Sequence, residues 1–275
     1  MPRFLFWNLN NKPLAETLAR LAFAHDIDVL MLAECDLNPG GVLNALNDGS
    51  SGSGSSGVYY HAPCRLCTRI KIFLRFSDEY LPIAAEGDRL TIRRLTLPDK
   101  PEILLAVVHV ISKVRYSPRS QEEEARDLAQ SIRAAEHNAG HSRTLLVGDL
   151  NMNPFEYGVA GAGTLNAMMT RGLASKQSRI VLGKAYPYFY NPMWGHFGDS
   201  SGSPAGTHYY RKSDHLCYFW NMFDQVLLRP ALFDNWQPSS LKILQSDGER
   251  SFIDNDGGRP RDMSDHLPIL FDLTL

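Results

Sequence analysis

Apolar runs that stop abruptly on a polar or acidic residue recur along this chain, and they constrain its fold more than any other feature. Five segments share the pattern: Trp7-Asn8-Leu9-Asn10, Leu32-Ala33-Glu34, Val108-His109-Val110, Gly148-Asp149-Leu150-Asn151 and Ser264-Asp265-His266-Leu267-Pro268. Phe223-Asp224-Gln225-Val226 makes a sixth. Short apolar runs bounded by turn residues read as buried strands, so the polar residue falls at a strand end or in the turn beside it. A carboxylate held there is costly unless a partner charge or a metal accompanies it. Three such acids (Glu34, Asp149 and Asp265), with amides and two histidines, are the donors that a hard divalent cation and a phosphate require. Oxygen ligands suit Mg²⁺ or Mn²⁺ better than zinc. Periodicity alone does not bring the six segments together in space.

Composition narrows the class. The chain has 275 residues, 44% hydrophobic and 21% charged, which excludes wholesale disorder. Its net charge of −2 excludes a domain held to nucleic acid by bulk positive charge and leaves room for a local basic groove. No run of about 18 apolar residues exists to span a membrane. The first residues read straight into a strand, without a signal-peptide pattern. Cys35, Cys64, Cys67 and Cys217 are too few for a disulfide framework. A cytoplasmic enzyme without stable membrane association is the expectation. Residues 1–275 are read as a single domain. The Ser/Gly stretch at 49–57 is then a flexible loop inside it, because 48 residues before it are too few for an independent core.

Strands are expected over residues 4–8, 28–34, 69–76, 89–97, 102–110, 144–149, 223–228 and 267–273. Asn11-Lys12-Pro13 predicts a helix start with Asn11 as its cap, followed by Leu14, Leu18, Leu21 and Ala22 at helical spacing. A long helix is expected over 120–139, with Glu122, Glu123 and Glu124 near the positive end of its dipole. Residues 157–217 read as loops with short helices. Strands dominate, which predicts packed sheets with helices outside.

Other features admit two readings each. Cys64-Arg65-Leu66-Cys67 has the spacing of half a zinc knuckle, but no second Cys/His pair follows to complete it. Pro192-Met193-Trp194 is either an aromatic substrate platform or a loop on the core. Arg211, beside Tyr209 and Tyr210, is either a phosphate-and-base grip or part of a solvated hairpin tip. Lys113, Arg115 and Arg119 either line a groove or form a solvated charge run.

The ordered set resembles the endonuclease/exonuclease/phosphatase superfamily, which includes deoxyribonuclease I-like and apurinic endonuclease-like enzymes. Gly148-Asp149-Leu150-Asn151 is similar to its Gly-Asp-hydrophobic-Asn motif, and Ser264-Asp265-His266-Leu267-Pro268 to its C-terminal Ser-Asp-His-x-Pro. The resemblance runs from Asn8 to His266. It implies an α/β four-layer sandwich, with two facing mixed, mainly antiparallel sheets flanked by helices. It implies a metal site at Glu34 and Asp265 supported by Asn8, and Mg²⁺ (or Mn²⁺) as cofactor. Asp149 corresponds to the acid that orients or deprotonates the attacking water, and Asn151 to an amide at the scissile phosphate or metal. His109 and His266 correspond to histidines near the phosphate, and Asp224 to the acid that holds the catalytic histidine. The chain lacks the Thr or Asn that often stands beside the first histidine. The implied activity is metal-dependent phosphoester hydrolysis, with nucleic acid the leading substrate and Arg211 and Trp194 as candidate contacts. The alternatives are a small phosphoester, a phosphoinositide or a phospholipid headgroup as substrate, or a non-catalytic subunit of a larger complex.

Overall fold

The central strands are buried on both faces, and the alternation of their side chains between two cores builds the layers. The computed structural model describes residues 1–48, 58–198, 204–213, 215–254 and 258–275; the Ser/Gly stretch at 49–57 lies outside them. Among the described residues, one sheet of six strands runs in the order β16 (Lys242–Ile243), β17 (Ile269–Asp272), β1 (Arg3–Asn8), β2 (Val29–Ala33), β4 (Ile70–Leu74), β3 (Tyr60–Ala62). A second, of seven, runs β5 (Ile83–Glu86), β6 (Leu90–Leu95), β7 (Ile103–His109), β8 (Thr144–Asp149), β15 (Asp224–Leu228), β12 (Phe189–Tyr190), β9 (Ala167–Met168). Both are mixed and mainly antiparallel, with parallel pairs at β1–β2, β7–β8 and β9–β12.

Every residue of β7 is buried. Successive side chains point to opposite faces. Ile103, Leu105 and Val107 join the core shared with the first sheet. Leu104, Ala106 and Val108 face the outer core with α3 (Pro118–Ala139), through Ala125, Leu128, Ala129 and Ile132. On the other flank, α1 (Ala15–Ala24) and α2 (Pro39–Asp48) cover the first sheet with Leu18, Leu21, Val42 and Leu46. The result is the four-layer sandwich. No helix among the described residues is long and apolar enough to cross a membrane.

The structure differs from the sequence expectation in several details, among them α2, β3, β5 and β16, which that reading does not anticipate. α1 begins at Ala15, after Leu14, without a side-chain cap. Asn10 and Asn11 instead sit at φ 47° and 54° in a turn leaving β1. α3 begins at Pro118, capped by Ser117, whose Oγ accepts from Ser120 N at 3.2 Å. Glu122–Glu124 therefore fall beyond its first turn. Within residues 157–217 there is a hairpin, β10 (Ser178–Val181) and β11 (Lys184–Pro187). Its turn residues Leu182 and Gly183 both have positive φ, as a type I′ turn requires. A two-stranded ribbon of β13 (His208–Tyr209) and β14 (Trp220–Asn221) follows.

Register brings the strand-end residues to one end of the sandwich. Asn8 pairs with Ala33, the neighbour of Glu34. His109 pairs with Asp149, and Asp149 with Asp224. β17 is antiparallel to β1, so Ser264, Asp265 and His266 enter from that same end. Gly148 makes the β7–β8 pairing possible: a Cβ there would lie 2.0 Å from the Val108 carbonyl oxygen. Gly148→Ala is expected to cost about 3 kcal/mol or more through this overpacking, read as a lower denaturation midpoint.

Candidate active site

Asp149 is the hub of the cluster. It is 1% exposed, a position a carboxylate occupies only with partners. Its Oδ1 accepts from Asn151 N at 2.8 Å. Its Oδ2 accepts from Asn8 Nδ2 at 3.0 Å and Asn151 Nδ2 at 3.1 Å. The Gly-Asp-Leu-Asn turn thus folds back on its own acid. Asn151 takes φ 51° to do so and also donates to Val110 O at 3.0 Å. From the α3 side, Gln121 Nε2 braces the turn by donating to Asn151 O at 3.0 Å and Ile111 O at 2.9 Å.

Two histidines flank Asp149. His109 Nε2 lies 3.2 Å from Glu34 Oε1 and 3.6 Å from Asp149 Oδ2. The hydrogen bond from His109 holds the Glu34 carboxyl below its usual range, against the opposing effect of burial. Glu34 stands at φ 43° just past β2, in the left-handed region that non-glycine residues adopt uncommonly. His266 Nδ1 lies 2.8 Å from Asp224 Oδ2, and its Nε2 lies 3.9 Å from Asp149 Oδ2. Burial alone would depress the His266 imidazole; the carboxylates of Asp224 and Asp149 outweigh it and push it up to about 10. The pairing biases the ring toward its protonated form, in which both nitrogens donate, while burial raises the Asp224 carboxyl itself.

The backbone around His266 is fixed by long-range bonds. Ser264 Oγ donates to Asn8 O at 2.6 Å and accepts from His266 N at 3.0 Å. Trp7 Nε1 donates to His266 O at 2.8 Å. The C-terminal motif is thereby stitched to β1.

Asp265 faces another way. Its Oδ2 lies 3.7 Å from His208 Nε2 and 3.6 Å from Arg259 Nη2. Burial works against its ionisation, but hydrogen bonding to His208 and the nearby His266 charge hold its carboxyl well below the usual range. His208 is not legible as a site residue in the sequence. Its ring centroid lies 4.5 Å from that of His266, and the two residues form an isolated β-bridge. The neighbouring Thr207 supports Asp224, accepting its N–H at 2.9 Å through Oγ1. Gly206 permits this close packing, because a Cβ would meet Asn221 O at 2.5 Å. The only cue in the sequence is a histidine after Gly-Thr at the start of a two-residue strand, too short to show a period.

Trp194 sits half-buried in a 3₁₀ turn, packed against Phe155 and Phe197 at 6.5 and 6.4 Å. Phe155 also meets Tyr218 edge-on at 5.8 Å. Arg211 is exposed just beyond β13. Lys113 pairs with Glu156 and lies 5.2 Å over the Phe223 ring, which itself stacks on His208 at 5.0 Å. An aromatic and basic rim therefore adjoins the histidine pair.

The donor set fits a hard divalent cation. Carboxylates of Glu34 and Asp149 and the amide of Asn8 share one hydrogen-bonded cluster. Two further groups, His208/Asp265/His266 and Asp149/Asp224/His266, bring their ligand atoms within 4.8 Å of one another; Glu34 belongs to neither, and His266 would have to be neutral to serve as a ligand.

A family model described as the Endonuclease/Exonuclease/phosphatase family matches residues 5–266. The chain belongs to that family. Its members hydrolyse phosphoesters, and the chain is an enzyme of that class. The solved structure of a humanized D. rerio TDP2 carrying 14 mutations is similar at 16% identity, over 100% of this chain and 99% of that one, with a TM-score of 0.55. The endonuclease domain of TRAS1, a telomere-specific non-LTR retrotransposon, is similar at 14% identity over 100% and 99%, TM-score 0.54. A variant of the 3′ phosphatase NExo from Neisseria, bound to a product DNA hairpin, is similar at 14% identity over 100% of both chains, TM-score 0.54. At these identities the likeness concerns the fold. No curated protein matches the chain.

Proposed function

We propose that the chain is a divalent-metal-dependent phosphodiesterase that hydrolyses nucleic acid with an activated water. The observation that carries this reading is the Asp224–His266–Asp149 line, 2.8 Å and then 3.9 Å, beside the Glu34 carboxylate. Glu34 and Asn8 would hold the cation, with Asp149 adjoining and Asp265 on the far side of His266. A cation at these oxygens supplies Lewis acidity and orientation to a phosphoester.

The chain's own groups account for the rest. Asp149, held by Asn8 and both N–H donors of Asn151, presents a carboxylate to orient a water and accept its proton. Asp224 locks the His266 ring and stabilises its cation, as the acid does in hydrolytic triads. His266 Nε2–H then faces the position of a non-bridging phosphate oxygen, where negative charge grows. His109 positions Glu34 by donating through Nε2.

Nucleic acid is favoured as substrate by the exposed rings of Phe155 and Tyr218 and by Lys113 near them. Such aromatic and basic groups stack on bases and meet phosphates. The DNA in the Neisseria 3′ phosphatase structure and the single-stranded DNA product in a D. rerio TDP2 structure agree with that choice. The purified chain is expected to cleave single- or double-stranded, abasic or 5′-tyrosyl DNA with Mg²⁺ or Mn²⁺. EDTA is expected to reduce turnover to background, with restoration on metal addition. Turnover confined to inositol phosphates or a lipid headgroup would move the substrate to the small-phosphoester class. No turnover on any phosphoester would support a binding subunit.

A further inference from the structure

The Cys64-Arg65-Leu66-Cys67 loop takes no part in the catalytic cluster, yet it stands at the same end of the molecule. It joins β3 to β4, where Ala62 pairs with Ile72, and Ile70 pairs with Ala33 next to Glu34. Glu86 of the second sheet ties the loop down: its Oε2 accepts from Arg65 N at 2.8 Å and Leu66 N at 2.9 Å. The other oxygen of Glu86 lies 3.1 Å from Arg93 Nη2, and both side chains are only 3% exposed. That same Nη2 lies 3.1 Å from Cys64 Sγ and donates to Pro63 O at 2.9 Å. The Cys67 thiol is buried beside Cys64, which is half-buried at the edge of the core.

This is not the setting of a structural metal. Among the described residues, the groups able to hold an ion do not include this pair. A buried guanidinium against the sulfur repels a cation and favours a thiolate.

We propose that Cys64 and Cys67 are a dithiol–disulfide redox pair at the rim of the site, Cys64 attacking and Cys67 resolving, with a small-molecule disulfide such as oxidised glutathione as the oxidant. The Cys64 thiolate attacks one sulfur of that disulfide. Its S–S bond breaks, one glutathione thiolate leaves with the electron pair, and a mixed disulfide forms on Cys64. Cys67 gives its proton to the departed thiolate and attacks the Cys64 sulfur, and the second glutathione leaves. Two protein thiols are oxidised by two electrons and one glutathione disulfide is reduced to two thiols, the second taking up the proton that Cys64 released on ionising. The electrostatics support the assignment. The hydrogen bond from Cys67 and the charge of Arg93 outweigh burial and bring the Cys64 thiol down to about 7. Donation to Cys64, together with burial, pushes the Cys67 thiol far up. Those contacts stabilise the reduced form, so the disulfide is readily reducible and closes only under oxidised glutathione in large excess over the reduced thiol. The proposal does not depend on the phosphodiesterase reading.

The test treats the intact protein with oxidised glutathione, blocks remaining thiols in acid, and maps the peptides by mass spectrometry. Wild type is expected to yield a Cys64–Cys67 disulfide, with Cys35 and Cys217 still free. Cys67→Ser is expected to stop at a glutathione adduct on Cys64. Alkylation of Cys64 in reduced wild type should show a midpoint near pH 7, against about 8.5 for an ordinary thiol. An ordinary midpoint for Cys64, a persistent glutathione adduct on wild type, or oxidation that starts at Cys35 or Cys217 would each overturn the proposal. The wild-type mapping needs no variant, so the test survives a Ser substitution that fails to fold.

Discussion

Asp149→Asn is expected to lower turnover of a phosphodiester by about 10²- to 10⁴-fold, the range that positioned acid–base groups supply. The substitution keeps the side-chain volume and one carbonyl oxygen. It removes the charge toward which His109, His266, Asn8 and Asn151 all converge. One of the donors now satisfied by a carboxylate oxygen would face an amide NH₂, at a cost of about 1–3 kcal/mol. The fold should persist under that loss, because Gln121 and the β7–β8–β15 register hold the turn independently. A steady-state assay beside a denaturation curve separates the two effects. A variant with wild-type turnover would remove Asp149 from the chemistry.

Asp224→Asn carries the second large effect, about 10⁴-fold in kcat by analogy with the neutralised acid of hydrolytic triads. Asp224 is fully buried and its partner is the His266 imidazole at 2.8 Å. With Asn in place, His266 loses the charge that most strongly raises it and titrates at lower pH. The basic limb of the pH–rate profile should move to lower pH accordingly. Stability follows the same linkage. A histidine raised to about 10 on folding contributes stability fully below about pH 6.5, its ordinary value. That contribution disappears as pH rises through 10. The gap in melting temperature between wild type and Asp224→Asn should therefore be wide at pH 6 and narrow toward pH 10. Asp149 and Asp224 share His266, so their effects on rate should not add in the double variant.

What the sequence disclosed depended on the length of the signal. β7 and β8 are long, apolar and end on His109 and Asp149, so both strand and site residue could be read together. The ordered Asn8, Glu34, Asp149, Asp224 and His266 do meet, because parallel β1–β2 and β7–β8 pairs align strand ends that carry them. The hairpin of β10 and β11 was not legible. It is largely exposed, with Leu182 at its tip, so no buried face imposes alternation. His208 and Thr207 escaped for a related reason: a two-residue strand has no period, and their roles arise only from contact with His266 and Asp224. Asn11 looked like a helix cap because Pro13 followed it. The chain instead uses Asn10 and Asn11 for a left-handed turn, in which Asn11 N donates to Glu34 O at 2.8 Å.

The central claim is that the oxygens gathered around Glu34 hold a cation needed for hydrolysis. The Mg²⁺ dependence of single-turnover DNA cleavage by wild type and Glu34→Gln tests it most directly. Half-saturating Mg²⁺ is expected to rise by about 10- to 100-fold or more in the variant, as it does when metal-site interactions are lost. Identical Mg²⁺ curves for the two proteins, or wild-type cleavage that persists in EDTA, would contradict it.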